Sequence, residues 1–171
     1  MPEYGHCPKC GGVLVRDKKK FPGCGDCGFV FYPTIKLTVS VILENEKEEI
    51  LLLQRGHAPH IGYWNTPGGH VDPGETAEQA VRRETKEETG LILKNLEYAG
   101  SHLDSYEDQG ATYPLLALSF HGRIKSSARI KIGDDAVAFK YFPKNKAPWR
   151  KMCFKSDIAA LRDYLKRKTT A

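Results

Sequence analysis

The strongest restriction on how this chain folds comes from three glutamates, Glu84, Glu87 and Glu88, at helical spacing within residues 69–91. Side chains three and four residues apart lie on one side of a helix, where like charges repel. Glu84 and Glu88 also fall within the apolar stripe of that helix, where unpaired charge is costly. A divalent cation held between the carboxylates removes this conflict, and Mg²⁺ and Mn²⁺ prefer such oxygen ligands. The pattern therefore predicts a metal-binding helix rather than an acidic surface helix.

Signals at both ends of this segment support a helix. Thr76 is placed to cap the N-terminus, and Gln79 three residues later completes a capping-box pattern. Gly90 suits the left-handed position that ends a helix, and Pro73-Gly74 closes the preceding loop. We expect the helix to run between Thr76 and Gly90, with a glycine- and proline-rich loop leading into it.

A second metal site is indicated near the N-terminus by four of the five cysteines. They follow the pattern C-x2-C-x13-C-x2-C, and each pair precedes a glycine, Gly11 or Gly28, that can adopt the turn around a metal-bound thiolate. This spacing is typical of a closed, structural Zn²⁺ site. Two disulfides and a rubredoxin-like iron centre are the alternatives that the same residues allow. The predicted ligands are Cys7, Cys10, Cys24 and Cys27.

The rest of the sequence predicts strands around two helices. Ser156 is placed to cap a final helix that extends through Lys166, and residues 101–112 are predicted to be a polar loop. This order favours an α/β fold with a mixed sheet between helical layers, preceded by the small cysteine-rich module. The strand-like segments are residues 35–43, 49–55, 91–100, 114–121 and 136–142.

The glutamate segment resembles the signature of the Nudix hydrolases, G-x5-E-x7-R-E-U-x-E-E-x-G-U, where U is a bulky apolar residue. Thr85 departs from it at the first U position, but its β-branched methyl group should fill that place. The resemblance implies the Nudix α/β/α sandwich for residues 34–171. A zinc ribbon over residues 1–33 resembles the branch of the family with NADH and ADP-ribose pyrophosphatases. The matching residues are Gly69, Glu75, Arg83, Glu84, Glu87, Glu88, Gly90 and Leu91.

The same resemblance implies an enzyme that uses Mg²⁺ or Mn²⁺ to hydrolyse a nucleoside diphosphate linked to another group. Such substrates include nucleotide sugars, ADP-ribose, dinucleotides and nucleoside triphosphates. The three helical glutamates are the expected metal ligands and catalytic carboxylates, with the carbonyl group of Gly69 as a further ligand. Arg83 is expected to support catalysis by orienting a signature glutamate, with Glu75 as its partner, and to point away from the metal side of the helix.

Residues that would select the substrate are weakly marked. The NADH pyrophosphatase branch carries SQPWPFPxS after the signature, whereas this chain reads SHLDSYED at residues 101–108, which argues against a dedicated NADH enzyme. ADP-ribose hydrolases often carry a proline at the place that Glu107 occupies. Substrate-binding candidates are Arg55, Trp64, Tyr106 and Glu107. The general base is open between Glu84, Glu88 and a later carboxylate from the set Glu107, Asp108, Asp134 and Asp135.

The positive charge of the chain leaves a second class of function open, that of a protein that binds nucleic acid or regulates another process. The net charge is +5, and the triplet Lys18-Lys19-Lys20 beside Phe21 could contact a phosphate backbone. The alternatives are therefore a nucleic-acid-binding or regulatory zinc-ribbon protein, or a pyrophosphohydrolase acting on RNA 5′ ends. Regulators built on this fold usually lose signature carboxylates. All of these carboxylates are present in this chain, which favours an enzyme.

The ribbon is expected to be structural, with a part in homodimer contacts. No apolar run suits a signal core or a membrane span, so a cytoplasmic protein is expected.

Overall fold

The structure, a computed structural model, describes residues 4–16, 21–108, 110–133 and 135–169. Within that part of the chain, neither helix is both long and apolar enough to cross a bilayer. Short 3₁₀ turns lie at Lys144–Lys146 and Trp149–Lys151. The elements in chain order are β1 Leu14–Val15, β2 Gly23–Cys24, β3 Lys36–Glu44, β4 Glu49–Arg55, β5 Trp64–Asn65, β6 Gly68–His70, α1 Ala77–Thr89, β7 Glu97–Asp108, β8 Ala111–Arg123, β9 Ala136–Pro143 and α2 Lys155–Thr169.

The chain forms two compact units. The smaller unit contains Met1–Lys36 together with Ser105–Pro114, and the larger contains Leu37–Asp104 with Leu115–Ala171. The predicted domain boundary between residues 33 and 34 stays a prediction.

The smaller unit has little apolar material to bury. Strands β1 and β2 pair antiparallel with Leu14 opposite Cys24, and these two residues share the buried centre with Cys7. A core of this size does not stabilise a fold unless a disulfide or a metal ion adds to it.

The larger unit is built on a seven-stranded sheet in which β3 is central. The path of the sheet runs β5-β4-β3-β8-β7, with β6 also paired to β3 and β9 to β4. Successive side chains of a strand point to opposite faces. Val41 and Leu43 of β3 pack in one cluster with Val81 of α1, whereas Ile42 packs in another with Leu161 of α2. Both faces of the sheet are therefore covered by a helix, and the predicted α/β/α sandwich is confirmed.

Residues 101–112 are not the polar loop that the sequence predicted. Residues 101–108 belong to β7 and residues 111–112 to β8, its neighbour in the sheet, and β7 begins at Glu97 rather than near residue 91. From Ser101 to Glu107, exposed and half-buried positions alternate along β7. The exposed side is mostly polar, and such a strand has the composition of a loop. The strand predicted at 114–121 is longer, at Ala111–Arg123.

The final helix also begins differently from the prediction. Helix α2 starts at Lys155, so Ser156 lies inside its first turn, and Ser156 is buried rather than capping the end. The N–H group of Ser156 donates to Oδ2 of Asp104 at 2.9 Å. A carboxylate from β7 therefore satisfies a free N–H group of the helix, a role that the sequence assigned to a local side chain.

Candidate active site

Helix α1 begins and ends where its capping residues predicted. Oγ1 of Thr76 accepts the N–H of Gln79 at 3.3 Å, and the Gln79 side chain accepts the N–H of Thr76 at 2.7 Å. Gly90 ends the helix with a φ of 72°. Thr85, the departure from the signature, is fully buried, and its hydroxyl donates to the carbonyl oxygen of Val81 at 2.6 Å. The hydroxyl of Thr85 therefore has a hydrogen-bond partner, although it lies inside the core.

Gly68 brings the segment before α1 into close contact with the central strand. It lies opposite Ser40 of β3. A Cβ atom at Gly68 would lie 2.1 Å from the carbonyl oxygen of Val39, and its φ of +149° also disfavours any other residue. The Gly68 N–H donates to Oε2 of Glu88 at 2.8 Å. This glycine thus links β3, β6 and the helix at one point.

Gly69 provides the space that a second signature glutamate occupies. A Cβ atom at this position would lie 2.5 Å from the carboxylate of Glu84. Glu84 and Glu88 are one helical turn apart and both turn back toward the same glycine pair. The structure therefore brings together two of the predicted metal-binding side chains and the backbone of Gly69.

Arg83 contacts three signature glutamates at once. Its Nε and Nη2 atoms lie 3.2 and 2.7 Å from the two carboxylate oxygens of Glu75, a bidentate pair. Nη1 lies 2.8 Å from Glu84 and 3.2 Å from Glu87, and Nη2 also donates to the carbonyl oxygen of His70 at 3.0 Å. The Glu75 pair is present, but the guanidinium group does not point away from the metal side. Its long side chain reaches back along α1 to the other two carboxylates.

The surroundings shift the carboxyl pKa values in opposite directions. Burial raises the pKa of Glu88 to about 8, against the lowering effect of its hydrogen bond from Gly68, and the charge of Glu84 raises it further. Burial also raises the pKa of Glu84, while Arg83 opposes that shift. Hydrogen bonds from Arg83 lower the pKa of Glu75. Glu75 is therefore stabilised as an anion, whereas burial disfavours the charged forms of Glu84 and Glu88, and a further cation beside them would favour their ionisation.

The donors at this site are chemically suited to a hard divalent cation. Carboxylate and carbonyl oxygens are the ligands of Mg²⁺ and Mn²⁺, and Mg²⁺ sites usually keep water and take up substrate phosphates. Within the described part of the chain, only the cysteine cluster brings three or more ligand atoms within 4.8 Å of one another. Arg83 instead holds Glu84 and Glu87. The fit rests on the space that Gly69 leaves beside Glu84 and on the half-buried carboxylate of Glu88, whose raised pKa shows that its charge is poorly compensated.

Asp157 lies beside this site, although no sequence pattern marked it. Its residue surface is only 4% exposed, and Oδ2 accepts the N–H of Thr66 at 3.0 Å. Burial raises the pKa of Asp157 to about 6, and the hydrogen bond with Thr66 opposes that shift. The only signal in the sequence is an acidic residue in the first turn of a helix, which is a common feature of exposed helices as well.

Two of the predicted substrate-binding residues, Arg55 and Trp64, belong to the larger unit. Trp64 packs edge-to-face on Phe142 with ring centroids 5.0 Å apart, within the apolar cluster around α2. The guanidinium group of Arg55 lies 5.3 Å from the ring centroid of Phe154, and its Nε donates to the carbonyl oxygen of Pro59 at 2.9 Å. Trp64 thus packs within this cluster, and Arg55, the last residue of β4, contacts the loop that follows the strand. Both residues stay predictions as substrate ligands.

The other two candidates, Tyr106 and Glu107, belong to the smaller unit. The Nζ atom of Lys36 lies 4.5 Å from the ring centroid of Tyr106 and 4.6 Å from that of Tyr113, so one cation contacts two aromatic faces. Glu107 is exposed on β7. These two residues stay predictions as substrate ligands.

Of the candidate bases from later loops, Asp135 lies in the same unit as α1. Its carbonyl oxygen accepts the N–H of Gly56 at 3.0 Å, and its charge contributes to the raised pKa of Glu88. The N–H of Gly133 donates to the carbonyl oxygen of Glu88 at 3.0 Å, which holds this loop at the end of α1. Asp134, the side chain of Asp108 and the lysine triplet 18–20 lie outside the described residues.

The four cysteine sulfurs of the smaller unit converge on one point. Sulfur–sulfur distances are 3.8 Å for Cys7 and Cys27, 3.6 Å for Cys10 and Cys24, and 3.4 Å for Cys10 and Cys27. A disulfide bond is about 2.05 Å long, whereas four sulfurs at about 2.3 Å around a tetrahedral Zn²⁺ lie about 3.8 Å apart. The arrangement therefore fits one tetrahedral ion.

The backbone around the cysteines has the form that the sequence predicted. Gly11 and Gly28 have φ values of 77° and 70°. Their N–H groups donate to the carbonyl oxygens of Cys7 and Cys24 at 2.9 and 3.0 Å. Each cysteine pair is thus enclosed in the same tight turn, which only glycine adopts without strain.

Comparison with known proteins agrees with this geometry. The NAD-capped RNA hydrolase NudC of Haemophilus influenzae (strain PittGG) is 39% identical over 103 residues, which is 59% of this chain and 39% of that protein. The protein of the same name from Vibrio atlanticus (strain LGP32) is 39% identical over 108 residues, covering 58% of this chain and 39% of the relative. The chain thus spans about two fifths of the length of these curated relatives.

Solved structures show the same fold. A NUDIX hydrolase from Nitrosomonas europaea superposes with a TM-score of 0.69 at 23% identity, covering 98% of this chain and 94% of that one. A MutT/nudix family protein from Enterococcus faecalis gives a TM-score of 0.56 at 33% identity, with 66% and 45% covered. The family model of the NUDIX domain matches residues 34–162. This match includes the signature helix and covers most of the chain, so the protein belongs to the Nudix family.

Proposed function

We propose that this chain is a divalent-metal-dependent hydrolase that cleaves the diphosphate of a nucleoside diphosphate linked to another group. The observation that carries the proposal is that Glu84 and Glu88 both face the Gly68–Gly69 pair, where each carboxylate is half-buried. Two carboxylates in such a place repel each other and are costly unless a cation shares their charge. A phosphate anhydride brings more negative oxygens, so a cation is needed between substrate and helix.

In this proposal, Glu84, Glu87, Glu88 and the carbonyl group of Gly69 hold Mg²⁺ or Mn²⁺. The bound ion supplies charge neutralisation at the diphosphate and lowers the pKa of a bound water. The chain itself supplies fixed geometry. The guanidinium group of Arg83 keeps the carboxylates of Glu84 and Glu87 at the helix surface and is itself locked by Glu75.

A carboxylate must also accept a proton from the attacking water. Glu84 and Glu88 stay candidates for this general base, and Asp135 is the later-loop carboxylate that the contacts favour. Its loop is held to α1 through the N–H of Gly133, and its side chain is exposed, with Oδ1 3.6 Å from Nδ1 of His57. We therefore propose Asp135 as the alternative base to the helical glutamates.

The smaller unit is proposed to hold a structural Zn²⁺ through Cys7, Cys10, Cys24 and Cys27. With a buried centre of Leu14 and two cysteines, the unit needs the ion for its stability. A part for this unit in homodimer contacts and a cytoplasmic location remain expectations from the sequence.

Within the proposed class, a dinucleotide diphosphate is the favoured substrate, and its attachment to the 5′ end of RNA is favoured over free NADH. Proteins named NAD-capped RNA hydrolase share 39% identity with this chain. The sequence SHLDSYED at residues 101–108, in place of the NADH pyrophosphatase motif, argues against free NADH as a dedicated substrate. An RNA substrate would bind with an affinity that falls steeply with salt.

The test is a Mg²⁺-dependent screen over ADP-ribose, NADH, nucleotide sugars, dinucleoside polyphosphates, nucleoside triphosphates and NAD-capped RNA. Glu84→Gln and Glu88→Gln should each lower turnover about 100-fold or more, because each removes a charged ligand. Glu78→Gln is the matched control, since Glu78 is an exposed carboxylate in the first turn of the same helix. Turnover that survives both substitutions, or that needs no divalent cation, would refute the proposal.

A further inference from the structure

Asp157 forms a contact between helix α2 and the segment that precedes the signature helix. Its carboxylate accepts the main-chain N–H of Thr66 at 3.0 Å, across 91 residues of sequence. The residue is 4% exposed, so this is a buried, charge-assisted hydrogen bond. Burying a carboxylate costs free energy unless hydrogen bonds compensate for the lost hydration. The buried position of Asp157 therefore calls for a structural or functional reason.

The segment held by Asp157 leads directly to the glutamates. The carbonyl oxygen of Pro67 accepts the N–H of Val41 at 2.9 Å, and the N–H of Gly68 donates to Glu88 at 2.8 Å. Gly69 then borders the carboxylate of Glu84. Only two residues separate the bond of Asp157 from the proposed metal ligand Gly69, and a shift of Thr66 would displace both glycines.

The start of α2 is itself held in place by two further contacts. Asp104 of β7 accepts the N–H of Ser156 at 2.9 Å, and the N–H of Cys153 donates to the carbonyl oxygen of Trp64 at 3.0 Å. Asp157 therefore lies on a fixed end of a helix rather than on a free one. Because this end of the helix is fixed, the hydrogen bond between Asp157 and Thr66 gives Thr66 a defined position.

We propose that Asp157 is a positioning residue that holds the Thr66–Gly69 segment in place for binding of the divalent cation and for catalysis. The inference rests on the proposed hydrolase function. It assigns to α2 a role in metal binding that the signature does not contain. Asp157 itself does not touch the substrate in this scheme.

Asp157→Ala and Asp157→Asn test the proposal, with Asp163→Asn as the matched control on the same helix. Asp163 is partly exposed and pairs with His102 at its surface. The measurements are kcat and KM, the Mg²⁺ concentration for half-maximal activity, thermal unfolding, and Mn²⁺ affinity by electron paramagnetic resonance. Mn²⁺ binding is read without substrate and does not depend on turnover.

We expect Asp157→Ala to lower kcat at least tenfold and to weaken Mn²⁺ binding at least tenfold, with KM changed less than twofold. Asp157→Asn keeps an acceptor oxygen for Thr66 but loses the charge, so both effects should shrink to about threefold. Asp163→Asn should behave like the unaltered protein. A residue that only stabilises the fold would lower the unfolding temperature and leave Mn²⁺ affinity of the folded protein unchanged.

Wild-type kcat and Mn²⁺ affinity in Asp157→Asn would overturn the inference, even if Asp157→Ala does not fold. The same follows if Asp157→Ala folds and binds Mn²⁺ normally. If the unaltered protein hydrolyses none of the screened substrates, the proposed function fails, and Mn²⁺ binding still decides the role of Asp157. If Glu88→Gln is inactive while both Asp157 variants match the unaltered protein, only the present inference fails.

Discussion

The main-chain N–H of Gly68 donates to Oε2 of Glu88 at 2.8 Å, although 20 residues separate them. This bond joins a strand that pairs with the centre of the sheet to the helix that carries the signature glutamates. A neutral N–H group only partly offsets the cost of burying a carboxylate, and the pKa of Glu88 is accordingly raised to about 8. The bond therefore fixes the position of the Glu88 carboxylate. Its negative charge is only partly compensated, so a cation beside it would stabilise the ionised form.

Glu88→Gln should stabilise the protein when no Mg²⁺ is present. Burial raises the folded-state pKa of Glu88 from 4.5 to about 8, so the folded state keeps a proton that the unfolded state releases between these values. The free energy of unfolding then falls as pH rises from about 4.5 to 8, by about 3 kcal/mol at pH 7. Glutamine does not ionise and avoids this loss.

The measurement is thermal unfolding of both proteins without Mg²⁺, from pH 5 to 8. The advantage of Glu88→Gln should grow with pH, and added Mg²⁺ should raise the unfolding temperature of the unaltered protein more than that of the variant. If the difference in unfolding temperature between the two proteins is independent of pH, the pKa of Glu88 is not raised in the folded state and the prediction is wrong.

Arg83→Lys should lower turnover about 10- to 100-fold, the usual effect of losing a residue that orients metal ligands. Lysine keeps the charge but cannot reproduce the two-atom pair with Glu75 while also contacting Glu84 and Glu87. Steady-state kinetics at several Mg²⁺ concentrations is the measurement. Arg82→Lys is the control, because Arg82 donates to the carbonyl oxygens of Leu93 and Lys94 and not to the signature glutamates. Equal losses in the two variants would argue against a special role for Arg83.

Gly69→Ala should reduce activity while leaving the fold intact. The new Cβ atom would lie 2.5 Å from the carboxylate of Glu84, the mobile end of a flexible side chain that can move aside. Stability should change by less than about 1 kcal/mol, whereas a displaced ligand should cost about tenfold or more in kcat. Gly23→Ala is the matched control, because its Cβ atom would enter open space. Denaturant unfolding and kinetics on both variants give the comparison, and unchanged kcat in Gly69→Ala would count against Glu84 as a ligand.

Removal of the proposed Zn²⁺ should unfold the smaller unit and leave Mg²⁺-dependent turnover within about threefold. The four sulfurs converge on one point and would link the unit through the proposed ion, and the described residues of the unit bury very few apolar side chains. Cys10→Ser, or a strong zinc chelator, should make residues 4–36 accessible to protease. Cys153→Ser lies outside the cluster and should retain one zinc per chain. Complete loss of turnover in a zinc-free chain whose larger unit stays folded would give the zinc unit a part in the chemistry.

Helix α1 could be predicted almost to the residue, because its signals act within a single segment. The capping box of Thr76 and Gln79 and the left-handed Gly90 are local features. The two cysteine turns were equally local, since Gly11 and Gly28 each lie next to a cysteine. The direction of the Arg83 side chain was not predictable from its backbone position, because a long side chain selects its contacts from neighbouring turns.

The pairing of β7 with β8 and the start of α2 could not be predicted from local patterns. A strand with one mostly polar side resembles a loop in composition, and only its pairing with β8 distinguishes the two. Serine is a common N-cap residue, so the sequence predicted that Ser156 caps the helix. Instead, the carboxylate of Asp104, on a distant strand, accepts an N–H group in the first turn. In both cases a tertiary partner decided the outcome.

By itself, the sequence determined the α/β class, the helix that carries the glutamates and the cluster of four cysteines, because each depends on spacing within a short stretch of chain. Only the tertiary structure decided that Asp157 meets Thr66 and that Gly69 opens a space for Glu84. Such contacts join segments that pack from different layers onto one sheet. Their separation along the chain follows no helical or strand period, so it leaves no pattern in the sequence.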